Sequence, residues 1–165
     1  MIARSPCDVA AQLNDVVLTE MNTDQYLTLL LGHLDLQTGR MVMTQAGHPF
    51  PVLQRANGDI KFLGNGGFPI GLIEDAAFDQ FDLMLELGDR VLILSDGIME
   101  CVDPAGNMLR DEGLLDLVRE NKSLRGNDFL EALIWNLNGF ACDQEFPDDV
   151  SAILIEYEDP NRETA

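Results

Sequence analysis

A series of short apolar segments separated by tight polar turns runs through most of the chain. The pair Asn57-Gly58 is the dipeptide most typical of a two-residue hairpin turn, and residues 35–39 and 87–89 are further polar turns. Turns this short join antiparallel neighbours, so the pattern excludes a doubly wound parallel sheet, and no GxGxxG or P-loop motif is present. We expect strands at residues 26–34, 40–46, 52–53, 60–63, 81–85, 90–94 and 150–157.

The first of these segments, residues 26–34, is almost continuously apolar, which predicts a strand buried on both faces. His33 within it is then expected to be a hydrogen-bonded core histidine. Residues 81–85 and 90–94 flank a polar turn and are predicted to pair as a hairpin. Residues 64–80 are rich in glycine and predict a loop or flap.

Helical spacing of apolar residues precedes and follows the strands. Ser5 is a good N-cap before Pro6, and the helix it begins is expected to reach about Met21. Residues 111–120 and 127–140 form two more predicted helices, the second capped by Asn127, with Trp135 packing in the core or at its edge. Helices set before and after hairpin strands indicate an α+β fold of one domain.

The charge of the chain restricts its partners. It has 165 residues, with 29 acidic against 10 basic side chains and a formal charge of −19. Nucleic acid and anionic membrane surfaces are therefore disfavoured, and the longest apolar run, residues 27–31, is too short to span a bilayer. The three cysteines, Cys7, Cys101 and Cys142, are widely spaced and predict neither a disulfide framework nor a zinc site. A cytoplasmic location follows.

Aspartates stand beside two of the predicted strands. Asp96 follows the strand at residues 90–94, and Asp148 and Asp149 precede the strand at residues 150–157. Each set alone is explained by a solvated turn. Together, carboxylates at the ends of two strands of one sheet would repel each other unless a cation or a shared proton joined them. Oxygen ligands of this kind suit Mg²⁺ or Mn²⁺ rather than zinc.

A second candidate lies at Gly47-His48, in a segment too rich in glycine and proline for regular structure. His48 has the chemistry of a metal ligand, an acid–base group or a phosphate contact. From the residues alone, a packed or solvent-facing loop histidine is the simpler explanation. No Ser/His/Asp nucleophile arrangement is recognisable.

Taken in order, these segments resemble a known family. The resemblance is to the SpoIIE-type domain of the PPM (protein phosphatase 2C-like) metal-dependent Ser/Thr phosphatases, and it covers residues 5–157. The matching motifs are Ala46-Gly47-His48-Pro49, Gly67-Phe68-Pro69-Ile70-Gly71, Leu87-Gly88-Asp89-Arg90, Ser95-Asp96-Gly97 and Asp148-Asp149-Val150-Ser151.

The resemblance implies a site and a chemistry. The family fold is a pair of packed antiparallel sheets flanked by helices. Asp96 and Asp148 match two metal ligands of a site for two Mn²⁺ or Mg²⁺ ions, and Gly47, His48, Gly97 and Asp149 are expected to border it. The implied substrate is a phosphoserine protein of the anti-sigma-factor antagonist type. A bacterial signalling regulator, such as an RssB-like response regulator, is the implied parent, and a homodimer is compatible with the family.

The chain also departs from the family pattern. Two upstream motifs, Gly-Asp-x-x-Asp and Asp-Val-x-Gly-His-Gly, do not occur in it, so the N-terminal strands and their aspartates are expected to be missing. Two hypotheses stay open. Residues 1–158 form a partial phosphatase domain, weak or inactive by itself and followed by a polar tail at residues 159–165, or they form a noncatalytic PPM-like module that binds a partner protein.

Overall fold

The computed structural model describes residues 4–21, 25–142 and 144–159, so most of the predicted tail, residues 160–165, lies outside the described residues. The chain divides into two compact units, Met1–Phe50 with Gly64–Leu85 and Pro51–Leu63 with Glu86–Ala165. The elements, in chain order, are α1 (Pro6–Glu20), β1 (Leu29–Leu34), β2 (Arg40–Ala46), β3 (Val52–Gln54), β4 (Ile60–Phe62), β5 (Gln80–Met84), β6 (Arg90–Leu94), α2 (Asp96–Met99), α3 (Arg110–Glu120), α4 (Gly126–Ala141) and β7 (Ala152–Glu156).

The first unit is a three-stranded antiparallel sheet, in the order β1-β2-β5, with helix α1 against it. The predicted start of α1 is confirmed: Ser5 is the N-cap, its Oγ accepts a hydrogen bond from Asp8 N at 3.2 Å, and Pro6 opens the helix. Buried residues of the helix, the sheet and the glycine-rich loop form one apolar core, made of Ala10, Val17, Ala46, Ile70 and Phe78.

The prediction that the first strand is buried on both faces is wrong. β1 lies at the edge of its sheet and no residue of it is fully buried, whereas the central strand β2 is buried from Met41 to Ala46. His33 is exposed and is therefore not a core histidine. A continuous apolar run marks a strand, but which strand becomes central depends on pairing between distant segments.

The second unit is a four-stranded antiparallel sheet, in the order β4-β3-β6-β7, that packs with helices α3 and α4. The hairpin predicted around Asn57-Gly58 is confirmed as β3 and β4. Helix α4 buries Phe129, Leu133 and Leu137, as its apolar spacing predicts. Burial raises the pKa of the Cys101 thiol within this core.

Three local predictions are corrected. Strands β5 and β6 do not pair as a hairpin, because β5 joins β2 and β6 joins β3 and β7. The N-cap of α4 is Arg125 rather than Asn127, and the amide of Gly126 donates to Glu156 Oε2 at 2.8 Å. Trp135 is 78% exposed instead of packing in the core.

Within residues 4–21, 25–142 and 144–159, no helix is long and apolar enough to cross a membrane. The described cysteines, Cys7, Cys101 and Cys142, are free thiols.

Candidate metal centre

The candidate site of the second unit lies where two neighbouring strands meet at one end of the sheet. β6 and β7 are antiparallel and Leu94 pairs with Ala152. The last residue of β6 therefore lies beside the first residue of β7, at the same end of the sheet. This places the segment 95–97 beside the segment 148–151, and Asp96 begins the short helix α2.

Ser95 ties these two segments together through hydrogen bonds of its side chain and its amide. Its Oγ donates to the carbonyl oxygen of Asp149 at 2.9 Å and accepts from the amide of Ser151 at 2.9 Å. Its own amide donates to the carbonyl oxygen of Ser151 at 3.0 Å. The hydroxyl thus acts as donor and acceptor at once, which fixes the register of the two loops.

Gly97 allows the same two segments to approach closely. A Cβ atom at this position would lie 2.6 Å from the carbonyl oxygen of Asp149 and 3.1 Å from that of Asp148. Both are backbone atoms, so a side chain could be accommodated only by moving the loop. Gly97 is buried at this contact.

The carboxylates of the site face solvent. Asp96, Asp148 and Asp149 are all exposed. Asp96 Oδ1 accepts from the amide of Gly97 at 3.1 Å, and Asp148 Oδ1 accepts from the amide of Asp149 at 2.6 Å. These bonds orient each carboxylate on its own loop.

The donor set has the chemistry of a hard-cation site. Asp96 and Asp148 offer carboxylate oxygens, and Mg²⁺ in proteins is commonly held by one or two carboxylates while it keeps several waters. Among the described residues, no group of three or more His, Cys, Asp or Glu side chains that could hold a metal occurs. Asp96 and Asp148 thus have the donor chemistry that a magnesium or manganese site uses, but the described residues do not complete such a site.

Gly47 and His48 belong to the first unit, where Gln45 fixes their loop. Gln45 Nε2 donates to the carbonyl oxygen of His48 at 2.6 Å, and Gln45 Oε1 accepts from the amide of Gly66 at 3.0 Å. His48 is half-buried, and its Nδ1 lies 3.0 Å from the carbonyl oxygen of Pro49. Gly47 has a φ of +70°, a conformation that favours glycine.

Sequence reasoning missed two of the residues that position these loops. The sequence marks Ser95 only as the first residue of the Ser95-Asp96-Gly97 motif and Gln45 only as part of a predicted strand. A signal for Gln45 does exist in the sequence. An amide side chain near the end of a largely buried strand, just before a loop rich in glycine and proline, indicates a group that bonds to the loop backbone.

Two antiparallel sheets with helices are also the arrangement of solved PP2C-type phosphatase domains. The SiaA-PP2C domain of Pseudomonas aeruginosa matches with a TM-score of 0.81 and 13% sequence identity, over 94% of this chain and 62% of that one. The Mn-presoaked phosphatase domain of SpoIIE from Bacillus subtilis matches with a TM-score of 0.66 and 19% identity, over 98% and 69% of the two chains. These similarities show that the fold is shared.

The sequence itself identifies the family. The profile of the Stage II sporulation protein E (SpoIIE) family matches residues 3–158, and this chain belongs to that family. Phosphoserine phosphatase RsbU of Bacillus subtilis (strain 168) is 26% identical over 152 residues. That match covers 91% of this chain and 44% of RsbU, so the chain spans less than half the length of this relative.

Proposed function

We propose that residues 1–158 form the larger part of the phosphatase domain of a bacterial signalling regulator, and that the domain as a whole hydrolyses phosphoserine or phosphothreonine on a protein with the help of Mn²⁺ or Mg²⁺. The observation that carries this proposal is the junction of β6 and β7, where Ser95 and Gly97 hold the loops of Asp96 and Asp148 side by side. Membership of the SpoIIE family supports it.

In this proposal Asp96 and Asp148 bind the metal. When bound, hard cations polarise phosphoryl oxygens and activate water for attack on the phosphate ester. The chain's own part is to hold its carboxylates in place before substrate arrives. Ser95 fixes the spacing of the two loops, and the amides of Gly97 and Asp149 orient the carboxylates of Asp96 and Asp148. Side chains held in advance lose little entropy on binding.

The substrate is a phosphoprotein in this proposal. RsbU, a relative of this chain, is named a phosphoserine phosphatase. A phosphoserine protein is therefore the class of substrate we propose, and the family resemblance suggests one of the anti-sigma-factor antagonist type. Asp149 borders the site in this proposal. We also propose a cytoplasmic location, which the free thiols of Cys7, Cys101 and Cys142 support.

The direct test is hydrolysis of p-nitrophenyl phosphate in millimolar Mn²⁺, with Asp96→Asn and Asp148→Asn compared with the parent protein. We expect each variant to lose the Mn²⁺-dependent turnover that the parent protein shows, because each removes a charged metal ligand. Asp116→Asn is the matched control, since Asp116 is an exposed carboxylate on α3 that pairs with Arg119. Loss of activity in Asp116→Asn as well, or full activity in Asp96→Asn, would contradict the assignment.

A second candidate function is a noncatalytic module that binds a partner protein. The observation that favours it is that the described residues contain no cluster of three metal-binding side chains. The same assay separates the two functions. If the parent protein binds Mn²⁺ no more tightly than Asp96→Asn does, and shows no Mn²⁺-dependent hydrolysis, the result would support the noncatalytic module.

A further inference from the structure

A small cleft lies in the second unit at the end of the sheet opposite the aspartates. It has a volume of about 180 Å³ and includes Arg55, Gly58, Gly88, Lys122 and Arg125 in its lining. The residue at which β6 begins contacts one wall of the cleft, whereas Asp96 follows the other end of that strand. At about 3.3 Å per residue, the five residues of β6 place the cleft and the aspartates roughly 15 Å or more apart.

The cleft concentrates positive charge in a chain whose formal charge is −19. Arg55, Lys122 and Arg125 are three of its 10 basic residues. Arg55 is paired with Asp89 at 2.6 Å and Arg125 with Glu156 at 3.3 Å.

These carboxylates therefore partly neutralise the positive charges of the two arginines. The charge of Lys122 is not compensated in this way. Its side chain is exposed, and among the described residues no carboxylate oxygen lies within 4.0 Å of its ammonium group. Lys122 is thus the charge in the cleft that is left for a ligand. A guanidinium carries five N–H donors, so Arg55 and Arg125 can also share an incoming anion with their carboxylates.

A buried arginine makes the walls of the cleft rigid. Arg90 is 1% exposed, and its Nε and Nη2 donate to Gln54 Oε1 at 2.9 and 2.7 Å. Its Nη1 donates to the carbonyl oxygen of Leu124 at 2.6 Å, and Nη2 also donates to that of Lys122 at 3.2 Å. The backbone that carries Lys122 is therefore fixed to the sheet before any ligand binds, which lowers the entropic cost of binding.

The floor and rim favour a compact anion. Gly58 and Gly88 have φ values of +96° and +92°, and a Cβ at Gly58 would meet no atom within 4 Å, so no side chain fills this part of the cleft. The amide of Gly88 donates to the carbonyl oxygen of Tyr157, and the acidic residues Glu158 and Asp159 follow directly in the chain. A long polyanion would be repelled by such surroundings.

We propose that this cleft binds a phosphate-sized oxyanion, with Lys122 as its principal charged contact and Arg55 and Arg125 as further donors. Two sources share this chemistry, namely free inorganic phosphate and a phosphoryl group on a serine side chain. The site is separate from the metal-binding aspartates and does not depend on the proposed phosphatase activity.

The test is a titration followed by amide chemical shifts, in EDTA and at constant ionic strength, with inorganic phosphate in one arm and O-phosphoserine in the other. We expect saturable shifts at the amides of Gly58 and Gly88. Lys122→Gln is expected to weaken binding about tenfold or more, since it removes a charge-assisted hydrogen bond. Lys61→Gln is the matched control, because Lys61 is the only other lysine of the chain and is exposed on β4.

Equal affinity for the two probes would support free phosphate as the ligand, and tighter binding of O-phosphoserine would support a phosphoryl side chain. The absence of saturable shifts with either probe would overturn the proposal, as would equal weakening by Lys61→Gln. Because EDTA removes divalent cations and Asp96→Asn is expected to bind phosphate unchanged, the outcome is independent of the metal centre. A melting temperature for each variant verifies that it is folded.

Discussion

At the scale of single residues, the junction of β6 and β7 depends on the absence of a side chain at position 97. The carbonyl oxygens of Asp148 and Asp149 occupy the space where a Cβ atom would begin. The hydroxyl group of Ser95 bonds across the same junction to the backbone of Asp149 and Ser151. The positions of both aspartates are therefore set by backbone packing rather than by their own side chains.

Gly97→Ala is expected to lower the free energy of unfolding by about 1–3 kcal/mol, because the added methyl group forces the Asp149 backbone to move. We also expect weaker Mn²⁺ binding. Thermal denaturation and calorimetry are the measurements.

Gly139→Ala is the control for this variant. Gly139 lies in α4 and a Cβ there would meet nothing within 4 Å, so alanine should raise stability by about 0.5–1 kcal/mol. A Gly97→Ala protein as stable as the parent would show that the two loops can separate without cost.

His48 and Gln45 are expected to respond differently to mutation. His48→Ala should change turnover modestly and cost less than about 1 kcal/mol, because the ring is half-buried and its Nδ1 bonds to the carbonyl oxygen of the adjacent Pro49. Gln45→Leu should cost about 2–3 kcal/mol, because Gln45 is 2% exposed and bonds to the backbone of His48 and Gly66. Chemical denaturation measures both values. A larger loss for His48→Ala than for Gln45→Leu would make His48 a structural residue.

At the scale of elements, the connection from β5 to β6 is stabilised by one buried carboxylate. Asp89 is 1% exposed, and its oxygens accept from the amides of Ala56 and Glu86 at 2.8 and 2.7 Å and from Arg55 Nη1 at 2.6 Å. It thereby fixes both the start of β6 and the end of β3.

Asp89→Ala is expected to lower the free energy of unfolding by about 3–5 kcal/mol, because the amides of Ala56 and Glu86 lose their acceptor and Arg55 loses its partner. Denaturant titration gives the value. Asp59→Ala is the comparison, since Asp59 is exposed and bonds within its own turn to Asn57. Equal losses for the two variants would show that Asp89 contributes no more than a surface turn residue.

The sequence predicts the positions of the helices and strands better than it predicts which strands pair. The start of α1 at Ser5-Pro6 and the hairpin at Asn57-Gly58 were predicted correctly because a few neighbouring residues determine them. The pairing of β5 with β2 was not predicted, because the polar turn at residues 87–89 has the composition of a hairpin turn. Pairing of this kind depends on contacts between segments that are distant in the chain, which local patterns do not contain.

The sequence predicts the aspartates of the candidate site but not the hydrogen bonds that position them. Asp96 and Asp148 were predicted to lie at the ends of strands of one sheet, and the pairing of Leu94 with Ala152 places their loops at the same edge. The bonds of Ser95 across 54 residues to Asp149 were not foreseen. A serine before an aspartate is unremarkable in a sequence, and its role depends on which strands become neighbours.

At the scale of the whole molecule, the formal charge of −19 has a consequence for stability. Like charges repel more strongly in the compact state than in the unfolded chain, and salt screens them over a Debye length of ~10 Å at about 0.1 M. We expect the melting temperature to rise by a few degrees as NaCl increases from about 20 to about 300 mM. The measurement is made in EDTA, so that divalent cations do not contribute. A melting temperature that falls with salt would show that the ion pairs outweigh the repulsion.

The central claim is the proposal that Asp96 and Asp148 are ligands of a divalent-metal site at the end of β6 and the start of β7. Calorimetric titration of Mn²⁺ into the parent protein, Asp96→Asn, Asp148→Asn and the control Asp116→Asn tests it most directly. We predict that both site variants weaken Mn²⁺ binding by about tenfold or more, while the control stays within about twofold of the parent. Unchanged Mn²⁺ affinity in Asp96→Asn and Asp148→Asn would contradict the claim.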